Sequence, residues 1–184
     1  AGLLPIAEVG LLRLAQTFVS LFNPVLIYMD NHARPYFARI LRDSGGAVFN
    51  FSFKKMALKF VSFGFVVFSS VGVLGVFMID EFYPNLYDTN IYGYFVLFLL
   101  LAFLGTISFI FRMRFLVLEK NKIIFRSYLV ASISSISLFS PMVLNFGGYG
   151  VVGTLIITQT IILVILSGVF QRIMGSLSLQ KVKL

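Results

Sequence analysis

Polar side chains recur along the first long apolar segment of the chain at the spacing of one helix face. They stand at i, i+3, i+4, i+7 and i+10, and they are Arg13, Gln16, Thr17, Ser20 and Asn23. A helix places them in one polar stripe and turns the neighbouring leucine, phenylalanine and valine side chains elsewhere. Because a polar group left in hydrocarbon costs several kcal/mol, the stripe must face protein or a water-filled cavity. Its chemistry would be the binding of an anionic group by a guanidinium with hydrogen-bonding neighbours.

Arg13 has two interpretations. Its long side chain can extend to the outer headgroups, toward Glu8, and serve no ligand. Alternatively, Arg13 offers its charge to an anionic substrate from the wall of a cavity. Pro24 can kink the same helix and leave a carbonyl unpaired, a common feature of transporters. In the last apolar segment Gln159 is the best candidate to face inward, so the predicted substrate-binding residues are Arg13, Gln16, Ser20, Asn23 and Gln159.

Residues suited to catalysis are scarce. The seven Asp and Glu residues are spread over loops and helix ends, without a close pair inside an apolar segment. The single histidine, His32, lies between Asp30 and Arg34 without an evident nucleophile, which favours a solvated or locally hydrogen-bonded residue over a catalytic base. The sequence has no Cys, metal-ligand spacing, Walker sequence or dinucleotide fingerprint. We therefore expect neither an enzyme nor a bound metal or cofactor.

The composition indicates which solvent surrounds these residues. Hydrophobic residues make up 59% of the chain, charged residues 12%, and the mean hydropathy is +0.96. Globular proteins carry about 25% charged residues, so one core could not hide this apolar surface and lipid must cover the rest. The net charge of +8 does not indicate a nucleic-acid partner, because the apolar segments leave no room for an exposed basic patch.

Five apolar stretches reach the roughly 20 residues that a helix needs to cross about 30 Å of hydrocarbon. The last two belong to one uncharged run, 127–171, which the glycine-rich segment 145–153 (NFGGYGVVG) divides with a turn. Uninterrupted apolar runs predict helices rather than the alternating strands of a barrel. We therefore predict an all-α, polytopic membrane helix bundle in a single domain, 1–184. Its spans are placed at about 10–30, 56–79, 91–112, 126–145 and 149–171.

Lysine and arginine residues predict the orientation of the bundle. All of the 15 except Arg13 lie in or next to the connections after the first, third and fifth predicted spans. The positive-inside rule then places the C-terminus in the cytoplasm and the N-terminus outside. An outer N-terminus without a visible signal peptide suggests that earlier spans precede it. The chain is thus predicted to be the C-terminal part of a longer transporter, with the missing N-terminal half as its partner.

Small residues recur on one face of the second and of the third predicted span, where they would let helices approach closely. They are Ser62, Ser69 and Gly72 in the second span and Ala102, Gly105 and Ser108 in the third. Four tyrosines around the connection between these spans predict an aromatic belt at the outer boundary of the membrane. They are Tyr83, Tyr87, Tyr92 and Tyr94. Both features have a structural explanation that needs no ligand.

Short motifs follow one another along nearly the whole chain in the order of one transporter family. They are EVGLLRLAQTF, RPYFARILRD, EKNK and GGYGVVGTL. In this order the chain resembles the C-terminal half of the polysaccharide flippases, of the O-antigen type, in the multidrug/oligosaccharidyl-lipid/polysaccharide exporter superfamily. The segments that match the family's motifs are 9–15, 35–39 and 149–153.

The resemblance implies two six-helix bundles around a central cavity, of which this chain would supply spans eight to twelve. It implies translocation of a lipid-linked oligosaccharide, of the undecaprenyl-pyrophosphate type, across the bacterial inner membrane by alternating access. The substrate would meet Arg13, with Gln16, Ser20 and Asn23 as hydrogen-bonding neighbours, while membrane lipids surround the bundle. The chain departs from the family pattern by lacking the first half and span seven, so alone it could not form the cavity.

Two other functions stay open. A cation-coupled multidrug exporter of the same superfamily would share the fold, but such proteins usually rely on intramembrane carboxylates, and Asp30 and Asp80 lie only at span ends. A structural or assembly subunit of a membrane complex would use the polar stripe for helix contacts instead of transport. Glycosyltransferase genes beside the gene for this chain would favour the flippase.

Overall fold

The computed structural model describes residues 4–20, 23–82 and 91–181, and the elements in this part of the chain are all helices. In chain order the helices are α1 (Ile6–Ser20), α2 (Asn23–Phe82), α3 (Ile91–Val117) and α4 (Asn121–Lys181). Apolar segments without strand-like alternation form helices because a helix satisfies its own backbone hydrogen bonds away from water. The predicted all-α class is confirmed for these residues.

Each of the two longest helices contains one glycine with a non-helical backbone. Gly45 in α2 has φ 77° and ψ 175°, and Gly147 in α4 has φ 57° and ψ −133°. Positive φ favours glycine, which has no Cβ to clash with the backbone. Gly147 lies inside the glycine-rich segment that should divide the last two spans. The bend at Gly45 is new, because the sequence suggests a basic loop between the first two spans.

That basic connection is helical on both sides of Gly45 because it buries aromatic side chains. Phe37, Phe49 and Phe53 are 2%, 1% and 3% exposed, and they pack with Met113 of α3. The three rings lie 5.2 to 6.2 Å apart between centroids. Since helices in proteins gain most of their stability from packing one face, this aromatic cluster stabilises helix where the charges suggest a loop.

The predicted first span, 10–30, coincides with α1 and the start of α2, and residues 21 and 22 between them lie outside the described part. Pro24, which we expect to kink one continuous helix, is the second described residue of α2. The junction at which the kink would show lies at the two residues outside the described part, so the kink stays a prediction.

Three helical segments are long and apolar enough to cross a membrane: Leu26–Glu81, Ile91–Val117 and Asn121–Gln171. Large apolar side chains are exposed on them, as contact with lipid requires, and Phe51 and Ile136 are 72% and 78% exposed. These helices indicate a membrane-embedded, multi-pass protein. The last segment has 51 residues, and a straight helix of that length would measure about 77 Å, more than twice the roughly 30 Å of bilayer hydrocarbon.

The central helix of the fold is α3, which contacts α1, α2 and α4. Near its start, Tyr94 packs with Leu12 and Ala15 of α1. Near its end, Phe115 packs with Leu166 of α4. α3 therefore takes part in the packing of every other helix.

The predicted aromatic belt does not include Tyr94, which is fully buried in the core between α1 and α3. The hydroxyl of Tyr92 donates a hydrogen bond to the carboxylate of Asp80, across the connection from α2 to α3. Tyr83 and Tyr87 lie outside the described residues. The start of α3 therefore uses a tyrosine to join helices, where the sequence suggests contact with headgroups.

Candidate functional site

A polar cleft of about 330 Å³ lies between α1, the start of α2, α3 and both limbs of α4. Residues from the limb before Gly147, represented by Tyr128, and from the limb after it, represented by Leu155, both line this polar cleft. Ligand sites in proteins commonly enclose about 300 to 1,000 Å³. The polar cleft is therefore large enough for part of a small polar ligand.

Small side chains on α3 keep the polar cleft open. Ala102, Gly105 and Ser108 follow at three-residue spacing along the helix face that forms the floor. A Cβ atom added at Gly105 would lie 3.9 Å from Nε2 of Gln159, so this amide lies directly over the floor. We expect these small residues to bring a neighbouring helix close. Instead, they leave space, which polar side chains from α1, α2 and α4 surround.

Four of the five predicted substrate-binding residues line the polar cleft. Gln16, Ser20 and Asn23 reach it from α1 and the start of α2, and Gln159 reaches it from α4. The Ser20 hydroxyl donates a hydrogen bond to the Thr17 carbonyl at 2.8 Å, and its oxygen can still accept one. Folding thus joins most of a stripe on one helix with a residue near the other end of the chain. Their role as ligands stays a prediction.

Arg13 is not among the residues that line the polar cleft, although it belongs to the same stripe. It is exposed on α1, and its carbonyl accepts a hydrogen bond from the Thr17 hydroxyl at 2.8 Å. At this level of α1 the buried Leu12 and Ala15 pack against α3, so apolar side chains fill the interface. The position of the cleft therefore does not support Arg13 as a direct ligand.

Among the described residues, Arg112 on α3 is the cation that lines the polar cleft. Its guanidinium carbon lies 5.1 Å from the ring centroid of Phe109, and its Nε is buried without a hydrogen-bond partner among the described residues. It makes no ion pair within that part of the chain. In the sequence analysis, Arg112 serves only as one of the basic residues that predict the orientation of the bundle in the membrane. Its position four residues after Ser108 and seven after Gly105 puts it on the small-residue face, and this spacing is the signal that could have identified it.

Ser108 supplies a second buried donor at the floor of the polar cleft. The residue is 2% exposed, and its Oγ has no hydrogen-bond partner in the part of the chain that the structure describes. A buried donor left without an acceptor costs about 1–3 kcal/mol. With the Arg112 guanidinium, Ser108 therefore makes the floor a place where an acceptor, and above all an anionic one, gains free energy on binding.

Arg112 forms no ion pair with a carboxylate of the described residues. No Asp or Glu of that part of the chain lines the polar cleft. Asp30 lies one turn after the lining residue Leu26, and its Oδ1 is buried without a hydrogen-bond partner among the described residues. Those residues also contain no group of His, Cys, Asp and Glu that could hold a metal ion. The site thus combines one guanidinium with amides and hydroxyls that can both donate and accept.

Glu8 ties α1, α3 and α4 together beyond the apolar layer. Its Oε1 accepts hydrogen bonds from the Tyr94 hydroxyl at 2.5 Å and from the Gly148 N–H at 2.8 Å. Gly148 is the first residue after the bend at Gly147, and the free N–H groups of a starting helix attract a carboxylate. The partners of Glu8 are therefore Tyr94 and Gly148, and the expected approach of Arg13 to Glu8 does not occur among the described residues.

Two of the four motifs that carry the resemblance, EVGLLRLAQTF and GGYGVVGTL, meet at this point. Glu8 belongs to EVGLLRLAQTF and Gly148 to GGYGVVGTL, and the ring of Tyr149 lies 4.7 Å from that of Tyr94 between centroids. A Cβ atom at Gly148 would collide with the Tyr94 hydroxyl and lie 2.7 Å from Oε1 of Glu8. The glycine is therefore needed for close approach, which gives part of the motif a structural role.

Comparisons of the chain with models of protein families, with curated proteins and with solved structures find no match.

Proposed function

We propose that this chain is the C-terminal half of a flippase that translocates a lipid-linked oligosaccharide across the bacterial inner membrane by alternating access. The observation that carries the proposal is the polar cleft, in which Arg112 stands with Gln16, Asn23 and Gln159 and without a carboxylate. A pyrophosphate or acidic sugar pairs with a guanidinium, and sugar hydroxyls exchange hydrogen bonds with side-chain amides.

The proposed binding mode follows from the depth of the donors. The phosphate or acidic group lies at the floor, where the Arg112 Nε and the Ser108 hydroxyl are buried without partners among the described residues. The neutral sugar hydroxyls lie nearer the rim, where Gln16 and Asn23 are exposed. The second bundle implied by the family resemblance would cover the open side and provide the opposite wall.

The five-span arrangement is part of the same proposal. A helix as long as α4 does not fit one crossing, and its bend at Gly147 lies where two crossings of normal length would meet. In α2 the bend at Gly45 separates the end of the first span from the second. Five crossings place the basic connections in the cytoplasm, with the N-terminal end of the chain outside.

Two rival functions are separated from the flippase as follows. A cation-coupled exporter would need a carboxylate in its cavity, and no Asp or Glu of the described residues lines the polar cleft. A structural subunit would use the exposed Gln16, Ser20 and Asn23 for helix contacts with a partner chain. Loss of transport without loss of assembly, on changing a cleft residue, separates a flippase from a subunit.

The test replaces Arg112 in cells that depend on this protein for glycan export and measures the glycan that reaches the outer face of the membrane. We expect Arg112→Ala to reduce export about tenfold or more, because a hydrogen bond to a charged group contributes about 1.5–3 kcal/mol. Arg112→Lys should restore part of the export, since it keeps the charge but not the planar fork.

Arg126→Ala is the matched control, because Arg126 is exposed on α4 and does not line the polar cleft. Arg13→Ala is the second comparison, and it should reduce export less than Arg112→Ala. Membrane levels of every variant are measured by immunoblotting. Normal export by Arg112→Ala at a normal protein level would contradict the proposal, and a larger loss with Arg13→Ala would return the ligand role to Arg13.

A further inference from the structure

A second cleft, of about 500 Å³, lies between α2, α3 and the C-terminal limb of α4, away from the polar cleft. Most of its lining is apolar, from Ala57, Leu58 and Val61 on α2 and from Ile107 and Ile110 on α3. We call it the apolar cleft. It shares no lining residue with the polar cleft, so a ligand here would be independent of the proposed substrate.

Two cations stand at the same end of the apolar cleft. Along α2, Lys54 precedes Ala57 and Val61 at helical spacing, and along α3, Arg114 follows Ile110 and Ile107 at the same spacing. In α2 the apolar residues follow the cation in sequence, and in α3, which runs antiparallel to this part of α2, they precede it. On both helices the apolar residues therefore extend in the same direction from Lys54 and Arg114. The apolar stretch covers about two helical turns, or roughly 10 Å. No Asp or Glu is among the lining residues.

The Arg114 side chain is held in place at this end. It is 8% exposed, and its Nη2 donates a hydrogen bond to Oδ1 of Asn50 at 2.5 Å. Its guanidinium carbon lies 4.2 Å from the ring centroid of Phe170 and 5.4 Å from that of Phe53. Lys54 is exposed beside it. One buried and one exposed cation therefore form a basic head at one end of an apolar channel.

The mouth of the apolar cleft has exposed apolar side chains beside it. Leu58 in its lining is 69% exposed, and Phe51, one turn before Lys54, is 72% exposed. A ligand that fits must be apolar along its length and anionic at one end, and it must reach the cleft from the bilayer. Anionic phospholipids meet these requirements, since their phosphate is attracted by about 1 kcal/mol per nearby Lys or Arg.

We propose that the apolar cleft binds one anionic phospholipid of the surrounding bilayer. Its phosphate contacts Lys54 and approaches Arg114, and an acyl chain lies along Ala57, Val61 and Ile110. A zwitterionic lipid of equal chain length lacks the net charge that complements two cations without a carboxylate. The site thus selects the headgroup by charge and retains the lipid through its chain.

The test counts lipids that stay bound to the purified chain during native mass spectrometry, after titration with phosphatidylglycerol or phosphatidylcholine of equal chain length. We expect phosphatidylglycerol to be retained more strongly. Lys54→Gln should weaken its binding about fivefold, the change that corresponds to about 1 kcal/mol. Lys55→Gln is the matched control, because Lys55 is the exposed neighbour outside the cleft and should leave binding unchanged.

A second variant tests the channel without changing any charge. Ala57→Phe should fill the apolar cleft and lower phosphatidylglycerol binding, while thermal unfolding in detergent shows that the chain still folds.

Equal losses of phosphatidylglycerol binding with Lys54→Gln and Lys55→Gln would overturn the proposal in favour of general surface charge. Equal retention of the two lipids, or displacement of phosphatidylglycerol by glycerol phosphate, would also overturn it. A dimer that Ala57→Phe dissociates would assign the cleft to a second copy of the chain and contradict the lipid.

Discussion

Arg112 and Arg114 stand two residues apart on α3, and their guanidinium groups have opposite surroundings. Arg114 donates to Asn50 and lies near the rings of Phe49, Phe53 and Phe170. Arg112 lies near one ring, that of Phe109, and no hydrogen bond joins its side chain to another of the described residues. Two residues on a helix point about 200° apart, so the two side chains reach different clefts. The contrast separates an arginine whose guanidinium joins α3 to α2 from one whose guanidinium is bonded to no neighbouring helix in the described part of the chain.

The largest effect on stability should come from removing Arg114. Arg114→Met leaves the Asn50 amide without its charged partner and removes the cation from its aromatic surroundings, so the free energy of unfolding should fall by about 2–4 kcal/mol. Arg112→Met removes a donor that already lacks a partner, so stability should change by less than about 1 kcal/mol. The measurement is unfolding of both purified variants in the same detergent by heat or denaturant.

Equal destabilisation by the two methionine variants would break this comparison, because Arg112 would then also hold the helices together. Arg114→Lys sharpens it. A lysine keeps the charge but loses the planar group that bonds Asn50 and lies against the rings, so it should recover only part of the stability.

A smaller effect, and one on binding rather than folding, is expected from closing the polar cleft. Gly105→Leu places a side chain over the floor toward Gln159, where a Cβ meets no closer atom than one 3.9 Å away. Glycan export should fall about tenfold while the amount of folded protein stays normal, because the new side chain occupies ligand space without colliding with the core. Export is measured as for Arg112→Ala.

Gly168→Leu is the control for this change, since Gly168 is also helical and exposed and has no atom within 4 Å of its added Cβ. It should leave export unchanged. If Gly105→Leu exports normally, the polar cleft is not the path of the substrate, and the assignment of Arg112 to a ligand fails with it.

The smallest effect should come from the Tyr94 hydroxyl, another hydrogen-bonded polar group on α3. Tyr94→Phe removes the hydroxyl that donates to Glu8 but keeps the ring in the core, so stability should fall by about 1 kcal/mol. Tyr28→Phe, at an exposed tyrosine of α2, should have no measurable effect. A negligible loss of stability with Tyr94→Phe would show that the Gly148 N–H alone holds Glu8. In that case Glu8→Ala should lower stability more than Tyr94→Phe does.

Periodicity predicts a useful part of the candidate site. Gln16, Ser20 and Asn23 repeat on one face of a helix, and Gln159 is a lone amide in an apolar run. The free-energy cost of placing a polar side chain in lipid is enough to predict that all four face inward. The same reasoning includes Arg13, because spacing cannot show that Leu12 and Ala15 fill the interface beside it. A polar stripe predicts which face of a helix turns inward. The packing of the partner helix decides along which part of that face a cleft remains open.

Arg112 shows why the rest of the candidate site could not be predicted from the sequence. The positive-inside rule fully explains a positive charge near the end of a span, so the sequence gives no reason to assign Arg112 a second role. The bend at Gly45 and the buried rings of Phe37 and Phe49 are similarly unexpected, because the surrounding charges indicate a loop. Those rings pack in one cluster with residues of α3 such as Met113, which are remote in sequence.

The membrane location, the helical class and the prediction of an anionic ligand follow from composition and from which residue types recur at which spacing. These are properties of the chain alone, since the cost of polar groups in lipid does not depend on the partner helix. Which arginine faces the polar cleft, which small residues leave space instead of closing it, and where the basic connection becomes helix depend on register between helices. Register is decided by the packing of α3 against its three neighbours, so only the tertiary structure separates Arg112 from Arg13 and Arg114.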